Sequence, residues 1–218
     1  QIVMFFIINA IMGISIYFTL ASGQLSLGAA GFMSVGAYVG AMLSLKADLP
    51  IIVGIIIGGL VASLVAVIIG LPTTRLRGLY LAIATLGFGE VVRVIFLNLD
   101  VTNGALGLSG IPSIPQELTN YAYEFDIDGL MGLDAVTWGN LMAIIILLVV
   151  LALIIAFCVR INNSRVGRAF AAIKADDHAA ELMGINVVYY KMMAFIIGAF
   201  IAGIGGGLYA HITNFINP

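Results

Sequence analysis

The sequence predicts an all-α protein, a polytopic bundle whose helices cross a membrane about six times. Three observations carry that expectation. Hydrophobic residues make up 62% of the 218 and charged residues only 9%, where a soluble domain carries about a quarter. The apolar residues fall in long uninterrupted runs. The few charges gather in short stretches between those runs.

Residues 1–45 contain no Asp, Glu, Lys or Arg, about twice the ~20 residues that one spanning helix needs, so two passes are expected. They divide at 21–28, where Ser22, Gly23, Gln24, Ser26 and Gly28 interrupt the apolar run. The third span covers 51–71, introduced by Pro50 and closed by Pro72, which cannot continue a helix interior. Arg75 and Arg77 follow it. A fourth span, 79–97, contains Glu90 and Arg93. The connection 98–137 then carries six acidic residues and no basic one. The fifth span, 138–159, is uncharged, and the sixth covers 192–210. The whole chain, 1–218, reads as one transmembrane domain. It starts at Gln1 instead of Met, as expected of a processed or trimmed product, and no charged head with a cleavage site opens it.

Seven of the nine Lys and Arg fall in two places, Arg75 with Arg77 and the segment 160–191. Both lie on the same side of a six-span chain, and the positive-inside rule makes that side cytoplasmic. The acidic 98–137 connection is then extracytoplasmic, together with Lys46 and both ends of the sequence.

Segment 163–191 holds seven of the twenty charged residues and two short helices. Val166, Phe170 and Ile173 recur at helical spacing. Asp176 or Asp177 can cap a second helix, which Gly184 can end in a left-handed conformation. At about two turns that helix is too short to persist in water alone, and Leu182, Met183 and Ile185 need something to pack against. The segment is either a cytoplasmic loop folded on its own membrane domain or a docking surface for another protein. Ala179 and Ala180, read as outward-facing beside a short capped helix, favour docking. Replacing Asn186, beyond the ending glycine, by Ala is expected to be mild.

Two features inside the membrane can carry transport. The break at 21–28 is either a tight hairpin or an unwound segment lining a path, since irregular backbone is tolerated there only inside protein or beside water. Glu90 and Arg93 share a helix face at i, i+3. Ionisable residues in a span suggest function, but an ion pair buried between helices is the favoured reading here. Gly54 with Gly58 and Gly203 with Gly207 form small-xxx-small pairs, usually plain helix packing. The run Gly205, Gly206, Gly207 is expected to weaken its helix and permit movement.

Enzymatic chemistry is not visible. No G-x-x-x-x-G-K-[ST] phosphate loop occurs, so no ATP hydrolysis is expected in this chain. The single Cys158 offers no disulfide or metal framework, and the two histidines, His178 and His211, are isolated and offer no metal-ligand spacing. A net charge of −2 argues against a nucleic-acid partner.

Four blocks of the sequence carry a resemblance: SGQLSLGAAGFMSVGAYVGAML, LPTTRLRGLYLAIATLGFGEVVRVIF, TNGALGLSGIP, and the stretch from SRVGRAFAAIKADDHAAELMGINVVYYK into the sixth span. Together they resemble the membrane permease subunit of branched-chain amino-acid ABC importers over nearly the whole chain. The resemblance implies a second permease subunit, two ATP-binding subunits that hold the ATP, and an extracytoplasmic solute-binding protein. It also implies a bacterial or archaeal cytoplasmic (inner) membrane, and further spans after Pro218. It implies that Arg165, Gly167, Arg168, Ala179, Ala180, Glu181 and Gly184 belong to the cytoplasmic coupling region that touches an ATPase. It places Gly23, Gln24, Ser26 and Gly28 along the translocation path, where Glu90 and Arg93 are also candidates. A urea or short-amide permease of the same architecture is the alternative solute reading; a stand-alone channel or secondary carrier is the alternative class.

Overall fold

A computed structural model describes residues 1–47, 49–73, 76, 78–124 and 134–218. Six helices in it are long and apolar enough to cross a membrane. They are α1 (Ile2–Ala21), α2 (Ala29–Lys46), α3 (Ile51–Thr73), α4 (Leu79–Asn98), α6 (Ala135–Asn162) and α9 (Val187–Thr213). Between them lie α5 (Ile114–Glu124), α7 (Arg165–Ala175) and α8 (Asp177–Leu182). A two-residue strand β1 (Leu108–Ser109) pairs antiparallel with β2 (Phe215–Ile216).

The spans run longer than the apolar runs that reveal them, because capping groups outside the runs extend the helices. Asn186 Oδ1 accepts the Tyr189 N–H at 3.0 Å, so α9 begins five residues before the expected 192. Pro72 does not end α3. Thr73 follows it in the last turn and donates its hydroxyl to the Ile69 and Gly70 carbonyls, acceptors that a helix end otherwise leaves open.

Helix α9 is central, packed against α2, α3 and α1. Glycine sets that packing, because without a hydrophobic drive between helices in lipid, close van der Waals contact is what holds them. A Cβ on Gly36 would lie 2.2 Å from the Gly203 carbonyl oxygen, and one on Gly58 would lie 2.6 Å from that of Gly36. The glycine run, expected to weaken α9, lies within continuous helix. Its three members sit in unbroken helix, with Gly205 facing Met12 of α1, Gly206 facing Met33 of α2 and Gly207 facing Ile55 of α3.

Buried polar ties add to this packing. Ser15 Oγ donates to the Gly198 carbonyl at 2.8 Å. His211, fully buried in α9, meets the Gly207 carbonyl through Nδ1 at 2.8 Å and Ser44 Oγ of α2 through Nε2 at 3.0 Å. A carbonyl only accepts, so Nδ1 carries the proton and Nε2 accepts from the serine hydroxyl.

Helix α4 is attached differently. It meets α2 through aromatic pairs, Phe32 with Phe88 at 4.9 Å and Tyr38 stacked on Phe96 at 4.2 Å. The strand pair and α5 lie at the end of the bundle where α4 finishes and α6 begins. Helices α7 and α8 lie at the opposite end. Arg75 and Arg77, half of the orientation reading, fall outside the described residues, as does 125–133 within the acidic connection.

Candidate functional site

The break between α1 and α2 is an extended segment, not a tight hairpin. Gly23 enters it with φ +75°, a left-handed conformation, and presses on Lys174 of α7, whose Cα would lie 3.2 Å from an added Cβ. From there burial alternates as in a strand, with Ser22, Gln24 and Ser26 inward and Leu25 and Leu27 outward. Leu27 N–H donates to Thr85 Oγ1 of α4 at 2.9 Å, and Gly28 N–H to Ser26 Oγ at 3.4 Å. Gln24 Oε1 is buried without a hydrogen-bond partner among the described residues. The segment thus links α7 to α4.

Between α2 and α4 lies a cavity of about 710 Å³. Leu27, Gly31, Ser34, Tyr38, Glu90 and Arg93 are among its walls; Gly23, Gln24, Ser26 and Gly28 are not. The two groups of path candidates therefore occupy different places. Glu90 and Arg93 do pair, Oε1 to Nη1 at 2.9 Å, but their side chains are 59% and 50% exposed. The expectation of a pair buried between helices is corrected: both residues share one face of α4, and among the described residues no second helix closes over that face. Tyr38, which sequence reasoning passed over, is 2% exposed, and its hydroxyl has no partner among the described residues. Its signal was the single phenol of α2, a span whose other polar side chains are Ser34, Ser44 and Lys46.

At the opposite end, local chemistry explains the short helices. Ser164 Oγ accepts the Val166 N–H at 3.1 Å and starts α7, whose Phe170 and Ile173 are buried as their spacing predicts. Asp176, not Asp177, caps α8, accepting the Ala179 and His178 N–H groups at 3.1 and 2.8 Å. Those two bonds hold its carboxyl below the ordinary carboxylate range. The cap's contribution is therefore full above that ordinary range and lost only as pH falls through the lowered value. Gly184, at φ +81°, ends α8 in a Schellman arrangement: Ile185 N–H reaches the Ala180 carbonyl and Gly184 N–H the Glu181 carbonyl.

The face that α8 presents differs from the expected one. Ala180 is 3% exposed and turned inward, whereas Leu182 and Met183 are 88% and 83% exposed. Ala179, Glu181, Arg165 and Arg168 are exposed beside them. Gly167 is a close approach, since a Cβ there would lie 2.3 Å from the Asn162 carbonyl oxygen. Asp177, freed from capping, pairs with Lys191 in the first turn of α9. Both partners are largely buried, and the pair ties α8 to the central span. A lone lysine at the start of an apolar run was the signal for that tie.

Comparison with known proteins adds the following. The family profile described as the branched-chain amino acid transport system / permease component matches residues 1–218. The high-affinity branched-chain amino acid transport system permease protein LivM of Salmonella typhimurium is 33% identical over 221 residues, covering 97% of this chain and 50% of its own. LivM of Escherichia coli is 34% identical over 223 residues with the same coverage. The chain thus spans about half the length of these curated relatives. No solved structure matches it.

Proposed function

From the premise that the chain belongs to the branched-chain amino acid transport permease family, we propose that it forms part of the transmembrane path of a binding-protein-dependent ABC importer for branched-chain amino acids. Its partners are a second permease subunit, two ATP-binding subunits on the α7–α8 side and a solute-binding protein on the α5 side. The membrane is the bacterial or archaeal inner membrane, with residues 160–191 cytoplasmic and 98–137 outside. ATP binds to the partner subunits.

The observation that carries this reading is the tip of α8. Leu182 and Met183 stand almost fully exposed on a helix that is capped at both ends and held in place from within. A six-residue helix with two free apolar side chains is a plug shaped for a groove on another protein. Ala179, Glu181, Arg165 and Arg168 are exposed on α7 and α8. Ala180, Gly167 and Gly184 act from within, by packing, close approach and helix ending. Closure of the ATPase pair presses on α8. The Asp177–Lys191 pair passes the displacement to α9, and α9 packs on α2, which walls the cavity, as well as on α1 and α3.

Replacing Leu182 and Met183 together by Ser tests it. Both are solvent-facing, so the chain should reach the membrane at normal level. Co-purified ATPase and binding-protein-stimulated hydrolysis should fall together. Full retention of the ATPase subunits would remove α8 as the docking element.

A further inference from the structure

We infer that Glu90 and Arg93 form a receiving site for the charged head of a zwitterionic α-amino acid in the cavity between α2 and α4. The inference rests on the importer reading and names how this chain holds the cargo.

An ion pair lying just past the middle of a spanning helix does not face hydrocarbon without cost; such residues turn to water, a cavity or protein. Glu90 and Arg93 turn to a cavity, and its 710 Å³ lies within the roughly 300–1,000 Å³ range of small-molecule sites. Their pairing is within one helix, at 2.9 Å and half exposed, so either partner can be exchanged without opening a helix contact.

An α-amino acid carries an ammonium and a carboxylate on one carbon. Its carboxylate can take the Arg93 guanidinium in a two-bond fork, and its ammonium the Glu90 carboxylate. One ion pair becomes two, and the site stays neutral both empty and filled. A neutral amide or urea has nothing to exchange. A solute with a single charge strands one protein group unpaired, which a low-dielectric site disfavours. Leu27, Met33 and Leu86 line the same cavity and offer an apolar wall to a branched side chain.

The test uses the assembled importer in proteoliposomes, with Ser34→Cys on a Cys158→Ala background to report on the cavity wall. Leucine should slow maleimide modification of that cysteine about ten-fold or more, the scale of charge-assisted hydrogen bonds. Leucinamide, 4-methylpentanoate and urea should not slow it. Equal slowing by all four, or none by leucine, overturns the inference.

The charge reversal Glu90→Arg with Arg93→Glu separates recognition from structure. A merely structural pair is restored by reversal. A site that orients cargo against an apolar wall is not, so assembly and stimulated hydrolysis should survive while leucine uptake falls at least about ten-fold. Uptake within about two-fold of the unaltered complex overturns the inference. Leucine protection without leucine uptake by the unaltered importer would sink the importer reading and leave the site standing. Uptake without protection would do the reverse.

Discussion

The trio α2, α3 and α9 and the single helix α4 are held in opposite ways. In the trio, backbones touch through Gly36, Gly58, Gly203 and Gly206, and any added Cβ collides with main-chain atoms. Helix α4 is joined to α2 mainly by rings, with one looser backbone approach where a Cβ on Gly31 would lie 3.1 Å from Gly89 Cα, and much of its apolar surface, including Leu79, Tyr80 and Ile83, is open. Backbone-to-backbone contact loses roughly a quarter to a half of its dispersion energy on parting by about 0.5–1 Å, whereas stacked rings can slide. The rigid and the adjustable parts of the bundle meet along α2, and the cavity with Glu90 and Arg93 lies on the adjustable side.

The largest expected effect comes from breaking the rigid side. A Cβ on Gly206 would lie 1.9 Å from the Met33 carbonyl oxygen, so Gly206→Val should remove monodisperse folded protein altogether, read by size-exclusion chromatography in detergent. A folded, transporting variant would show that the trio yields as readily as α4.

Next in size is the tie between α8 and α9. Lys191→Met leaves Asp177 uncompensated with a side chain only 22% exposed, and should cost up to about 3 kcal/mol in denaturant titration. Adding Asp177→Asn should recover most of that stability but not coupled hydrolysis, because the link into α9 is gone. Recovery of both would mean the pair only stabilises.

Asn186→Ala removes the cap that starts α9 and should cost about 1 kcal/mol by the same titration. The smallest effect belongs to α4. Nothing lies within 4 Å of a Cβ on Gly87, so Gly87→Ala should leave the isolated chain unchanged or raise its stability by about 0.5–1 kcal/mol. If the same change weakens assembly with the second permease subunit, measured by co-purification, that face of α4 is occupied in the complex and the comparison sharpens.

How much was legible follows the range of the interactions. Chain-local signals were read correctly: the long apolar runs, the break at 21–28, the buried stripe of α7, a cap at Asp176 and the left-handed Gly184. Each depends on a few neighbouring residues, which the sequence contains in full. Periodicity could not say which side of a helix meets protein, because a spanning helix is apolar all round and its lipid face resembles its packed face. So the inward turn of Ala180, the three separate neighbours of Gly205, Gly206 and Gly207, the exposure of Glu90 and Arg93 and the buried Tyr38 were decided only when the helices crossed. The sequence by itself determined six spans and the chemistry of their ends. The tertiary structure decided which faces touch, because in a membrane that choice rests on contact distance between backbones, not on the polarity of the residues between them.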